Sequence, residues 1–160
     1  MDSLSRSGRG TYALVLRLDT RANLFIGKLG KFDFCLGYYV YVGSAMGSGG
    51  LAGRLKHHLT PAVKSHWHID YLRQAARPEA VWFVDSNARR EHVWASALLA
   101  VPGASVPVPR FGASDCRCAS HLFYFLSPPQ LHGFQALLDE RFPGEERIRS
   151  QVVDVLPLMD

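Results

Sequence analysis

The chain has 160 residues, which fits one domain with one core. Hydrophobic residues make up 48% and charged residues 20%, a globular balance that excludes a low-complexity or disordered protein. The net charge of +4 is uneven: residues 1–80 carry 11 Lys/Arg against 5 Asp/Glu, and residues 81–160 carry 7 against 9. A basic amino-terminal half suits a polyanionic partner. No apolar run approaches the length of a membrane span. The opening MDSLSRSGRG has no apolar stretch behind its basic residues, so it reads as a short disordered tail (1–9) and not as a secretory signal. Cys35, Cys116 and Cys118 make no disulfide framework, and a reducing cytoplasm is the default location.

In chain order, TYALVLRL (11–18) is a strand-like run of β-branched, aromatic and leucine residues. Asp19 to Asn23 supply a turn, and LFIGKL (24–29) reads as the returning strand of a hairpin. Residues 30–37 read as a loop with buried aromatics. YYVYVG (38–43) is the clearest strand, and GSAMGSGG (43–50) a flexible connection. LAGRLKHHL (51–59) is a helix stopped by Pro61, and HWHIDYLRQAA (66–76) a second helix ended by Pro78. AVWFVD (80–85) is a strand. A helix over 88–100, capped by Ser86 or Asn87, follows it. After a Pro/Gly-rich loop (102–112) come a strand at 121–126 and a helix at 128–141 with proline at its start. The result is one α+β domain over residues 10–142: a small mixed, largely antiparallel sheet flanked by helices, with residues 143–160 as an extension.

Hydrolysing a phosphodiester takes a group that activates water, a cation on the phosphoryl oxygens and something to stabilise the leaving oxygen. The candidates come in order. Gly10-Thr11-Tyr12 opens the first strand and Tyr41-Val42-Gly43-Ser44 closes another, so two phenols can share one sheet face. Arg54 and His58 are four apart on the next helix, hence on one side of it. Glu91 lies in the first turn of the helix that begins REHVW, where one acid can hold a metal over the sheet.

The order GTY, YVGSA, a helix with Arg and His, then REHVW resembles the GIY-YIG nuclease superfamily over about residues 10–100. Residues 37–45, 64–72 and 111–122 are further similar to an uncharacterised branch of it, sometimes fused to a DNA-repair glycosylase. The resemblance implies a metal-dependent endonuclease acting on nucleic acid, DNA before RNA. It implies Tyr12 and Tyr41 as the two motif tyrosines, one of which positions the attacking water. Arg54 would clamp the scissile phosphate. His58 would be a proton-transfer partner or a phosphate ligand, and Glu91 would bind Mg²⁺ or Mn²⁺. Beside these, the residues themselves offer Gly43, Ser44 and Lys56 as substrate contacts, Lys64 as a phosphate contact or a solvated lysine, and His66 and His68 at the rim of the site. The 28 residues between Tyr12 and Tyr41 depart from the superfamily's short hairpin. The first motif holds only if both tyrosines lie on neighbouring strands.

Each residue also has an ordinary reading. Strand tyrosines pack, and an acid near a helix start complements the dipole. His66 and Asp70 can pair across a turn with Trp67 and Tyr71 packed inward; Trp82 and Trp94 are core. Cys116-x-Cys118-x-x-His121 offers three zinc donors, with Cys35 or His132 as a fourth. The preferred reading of that stretch is structural, with Ser114 and Asp115 bonding the loop and the cysteines small buried groups; Asp115 could also approach the metal. Two rivals to the nuclease therefore stand: a non-catalytic nucleic-acid-binding module on the same fold, and a zinc-stabilised interaction domain.

Overall fold

The computed structural model describes residues 8–60, 65–114, 116–144 and 147–153. Lys64 and Asp115, named above as a substrate contact and a possible metal neighbour, lie outside the described residues. The strands are β1 (Gly10–Leu18), β2 (Ala22–Phe25), β3 (Lys31–Phe34), β4 (Gly37–Ala45), β5 (Arg77–Asp85), β6 (Leu122–Phe125) and β7 (Arg149–Val152). The α-helices are α1 (Gly50–Leu59), α2 (His68–Leu72), α3 (Glu91–Leu99) and α4 (Leu131–Arg141). Five strands form one sheet in the order β6-β4-β1-β5-β7, antiparallel at every pairing, and β2 and β3 form a separate two-stranded sheet. The α+β class read from the sequence is the observed one. Among the described residues no helix is long and apolar enough to cross a membrane.

β1 is the central strand and is covered on both faces, which is why it reads as a continuous apolar run and not as an alternation. Period-2 geometry splits it. Tyr12, Leu14, Leu16 and Leu18 join Leu51 and Leu55 of α1, Ile69 and Leu72 of α2, and Ile26 and Phe34 of the small hairpin. Ala13 and Val15 join Trp82, Trp94, Leu98, Phe134 and Leu138 under α3 and α4. The molecule is thus three layers with the sheet in the middle. Trp82 and Trp94 are core residues, as read.

Several element boundaries differ from the sequence reading, each for a tertiary reason. The strand expected at 24–29 does not return along β1. β2 pairs instead with β3, which occupies the expected loop, and a 3-10 turn at Gly27–Leu29 separates them. β1's partners are β4 and β5. The 28-residue gap is therefore a folded excursion, and Tyr12 does lie on the strand beside Tyr41's. The expected helix at 66–76 is α-helical only over His68–Leu72, because β5 already begins at Arg77. Neither Ser86 nor Asn87 caps α3. The helix starts at Glu91, and the hydroxyl of Thr11 on β1 accepts the N–H of Arg90 at 3.0 Å. The last helix starts at Leu131, after both prolines. Residues 149–152 of the expected extension add the edge strand β7. At the other end the carbonyls of Gly8 and Arg9 accept the N–H groups of Leu51 and Ser86, so the end of the expected tail is held.

Candidate active site

The antiparallel register of β1 and β4 sets Tyr12 opposite Gly43 and Leu14 opposite Tyr41. Both phenols therefore project to the α1 side, with ring centroids 6.4 Å apart. Gly43 is what lets them do so. A Cβ there would come within 2.6 Å of Tyr12 Cζ, so only glycine leaves room for the ring. α1 then lays its stripe of Leu51, Leu55 and His58 on this face, at the i, i+4, i+7 spacing of a buried helix side. His58 Nε2 and Tyr12 Oη share a hydrogen bond of 2.7 Å, and both residues are buried. Burial pushes His58 down to about 3, with His57 beside it adding to the effect, so its imidazole is neutral. Its Nδ1 is buried without a partner. Burial raises Tyr12 well above an ordinary phenol, and Tyr41 adds to this while Arg54 opposes it. Burial pushes Tyr41 up to about 12 against the same guanidinium. At neutral pH both phenols keep their protons.

Arg54 lies one turn before His58 on the same side of α1. Its Nη1 donates to the carbonyl of Ser44 at 3.0 Å, and its guanidinium sits 4.6 Å over the ring of Trp67. That cation–π contact restrains the side chain while the fork keeps further N–H groups. Glu91, at the start of α3, is 14% exposed, with Arg89 Nη1 at 3.4 Å and His92 Nε2 at 3.9 Å from its Oε1. Tyr41, Arg54 and Glu91 converge on one cleft of about 370 Å³, with Gly43 and Ser44 beside them. Met46, Gly47, Arg89, Gly112 and His121 also line it. Gly112 must also be glycine: its φ is +67° and a Cβ would meet Tyr41 Cε1 at 3.0 Å. One carboxylate open to a polar cleft fits a magnesium or manganese ion whose other ligands come from water and phosphate.

Not every candidate reaches this cleft. Tyr12 and His58 lie behind its wall. At 2% exposure His58 is no phosphate ligand, although the pairing with Tyr12 leaves proton transfer open to it. Lys56 is exposed and absent from the cleft lining, because two residues beyond Arg54 it points to another side of α1. The side chain of His66 is exposed too; only its backbone N–H meets Asp70, at 2.9 Å. The ring that pairs with Asp70 belongs to His57, at 3.0 Å. Asp70 caps α2 by accepting the N–H groups of His66 and Trp67. His68 Nδ1 accepts the N–H of Gly112 at 2.8 Å, so His68 braces the cleft wall from behind. Trp67, expected inward, is 40% exposed under Arg54. Arg89 and His121 line the cleft without having been singled out for it in the sequence, and Trp67 supports Arg54 from outside the lining. Only the basic pair before Glu91 hinted at Arg89.

Residues 11–141 match the profile of a family described as Domain of unknown function DUF123. The chain belongs to that family. No curated protein and no solved structure matches it. The DUF123 match runs from β1 to the last residue of α4, so it takes in every residue of the cleft and leaves out β7.

Two further groups of metal-capable side chains occur among the described residues of this DUF123 chain. His57, His58 and Asp70 stand together behind the cleft, although Asp70 is already used by His57 and the start of α2. His92, Cys116, Cys118 and His121 form the second. The sequence offered Cys35 or His132 as fourth partner to the C-x-C-x-x-H stretch. The structure brings His92 instead, while Cys35 and His132 are exposed elsewhere. His92 was invisible as a partner because it lies 24 residues before Cys116, on another element.

Proposed function

We propose that this chain is a metal-dependent endonuclease of the GIY-YIG type, in the branch sometimes fused to a DNA-repair glycosylase, and that it hydrolyses phosphodiester bonds in DNA. The observation that carries the reading is the convergence of Tyr41, Arg54 and Glu91 on one cleft from β4, α1 and α3, in the order the resemblance implies. Arg54 is held by Ser44 and Trp67 in a pose that presents a planar cationic fork to a phosphate. The hydroxyl of Tyr41 at the cleft wall orients the attacking water. Tyr12, held by neutral His58, backs the Tyr41 ring and acts through it. Glu91 would hold Mg²⁺ or Mn²⁺, which would neutralise charge at the leaving oxygen. Arg89 adds a second cation at the rim.

A cleavage screen over single strands, duplexes and flapped DNA and RNA, with each divalent metal in turn, tests this. Wild type should cut in Mg²⁺ or Mn²⁺. Folded Glu91→Ala should lose on the order of 10²-fold or more in rate, the scale on which single transition-state charge stabilisers act. Equal cutting by wild type and Glu91→Ala would overturn the assignment. Salt-sensitive binding with no cleavage of any substrate would favour the non-catalytic module.

A further inference from the structure

We infer that His92, Cys116, Cys118 and His121 form a structural zinc site, separate from the ion that Glu91 would hold. The inference goes beyond the nuclease reading and does not depend on it.

The donor atoms of the four side chains all lie within 4.8 Å of one another. His92 Nδ1 is 3.1 Å from Cys118 Sγ, and Cys116 Sγ is 3.5 Å from His121 Nε2. Zinc bound at about 2.3 Å to sulfur and 2.0–2.1 Å to nitrogen needs tetrahedron edges of about 3.3–3.8 Å. The two close pairs already approach that size. Four donors of type N₂S₂ make a closed structural set, and two thiolates select zinc over magnesium or manganese. Binding releases the two thiol protons, so the filled site is Zn(Cys⁻)₂(His)₂ with no net charge.

The surroundings are built to hold the loop in this shape. Arg110, at φ +68°, donates Nη1 to the carbonyl of Cys118 at 2.7 Å and Nη2 to that of Cys116 at 2.5 Å. The backbone N–H of Arg110 bonds to Ala119, and that of His121 to Phe111. His92 turns its other nitrogen toward Glu91, 3.9 Å away, placing a carboxylate behind a ligating imidazole as zinc sites commonly do. The loop carries Gly112 and His121 of the cleft wall, and α3 carries Glu91. A zinc ion would pin the one to the other, so its role is to position the cleft wall. His92, exposed on α3, has no apolar reason to meet the two thiols and the imidazole of the Cys116–His121 stretch.

Elemental analysis of the reduced full chain, purified without a metal-chelating tag, should find about one zinc per chain. Cys118→Ser and His92→Ala should each lose most of it, while Cys35→Ser keeps it in full. X-ray absorption at the zinc edge of wild type needs no variant to fold, and should show two sulfur and two nitrogen ligands. Replacement by Co²⁺ should add a thiolate-to-metal charge-transfer band. A wild-type chain with less than about one-tenth of an equivalent that also takes up neither Zn²⁺ nor Co²⁺ would overturn the site. So would undiminished zinc in a Cys116→Ser/Cys118→Ser double variant, or a ligand shell without sulfur.

Discussion

Gly43 and His58 settle at the level of single atoms what the two tyrosines can do. In the sequence Gly43 ends an aromatic strand, and nothing nearby says what needs the space. The fold supplies the reason, since the ring of Tyr12 lies where a side chain would begin. Gly43→Ala should therefore destabilise by about 1–3 kcal/mol, the range for overpacking a well-filled site. Urea unfolding would measure it, and an unchanged midpoint would show that the ring can move aside. His58 gives a pH signature. The folded state holds it neutral down to about 3, while the unfolded chain takes up a proton near 6.5. Its contribution is fully present above about 6.5 and drains away as pH falls from there toward 3. Wild type should lose stability relative to His58→Gln across that window, in unfolding midpoints taken at successive pH values. Parallel curves would mean that His58 protonates freely in the fold.

At the scale of elements, the start of α3 is the informative boundary. Local rules point to Ser86 or Asn87 as caps and give a helix three residues longer at its front. Thr11, eighty positions before Glu91, accepts the N–H of Arg90 and fixes where the helix begins. This places Glu91 at the cleft. Thr11→Val keeps the shape of the side chain and removes the acceptor. It should cost about 1 kcal/mol, as lost caps do, and it should lower metal-dependent cleavage more than unfolding explains. Thermal melts with rates measured well below the transition would separate the two effects. The excursion between β1 and β4 makes the same point in reverse. Residues 24–29 read locally as a partner for β1, because adjacent segments often pair. Ile26 and Phe34 instead bury themselves over the sheet, and the hairpin closes on itself.

For the molecule as a whole, the charge excess of residues 1–80 is not gathered in one place. Arg54 lines the cleft, whereas Arg17 and Arg77 are engaged with Asp19 and Glu79 on the surface. The second cleft cation, Arg89, comes from the half that is net acidic. With two phosphate contacts, from Arg54 and Arg89, affinity for duplex DNA should fall about tenfold when salt rises from about 50 to 200 mM. Fluorescence anisotropy on the Glu91→Ala chain would measure the slope without cleavage. Affinity independent of salt would argue against a phosphate-binding cleft.

By itself the sequence determined the α+β class, the central apolar strand, the two tryptophans of the core, and the order of Tyr12, Tyr41, Arg54 and Glu91. These rest on periodicity and on local motifs, which act over a few residues. Only the tertiary structure decided which of the four face the cleft. Tyr41, Arg54 and Glu91 line it together, and Tyr12 stands behind them with His58, because strand register and helix side are set by packing between distant elements. The same holds for His92 and the cysteine loop, where the fourth donor arrives on a helix that no spacing rule connects to the other three.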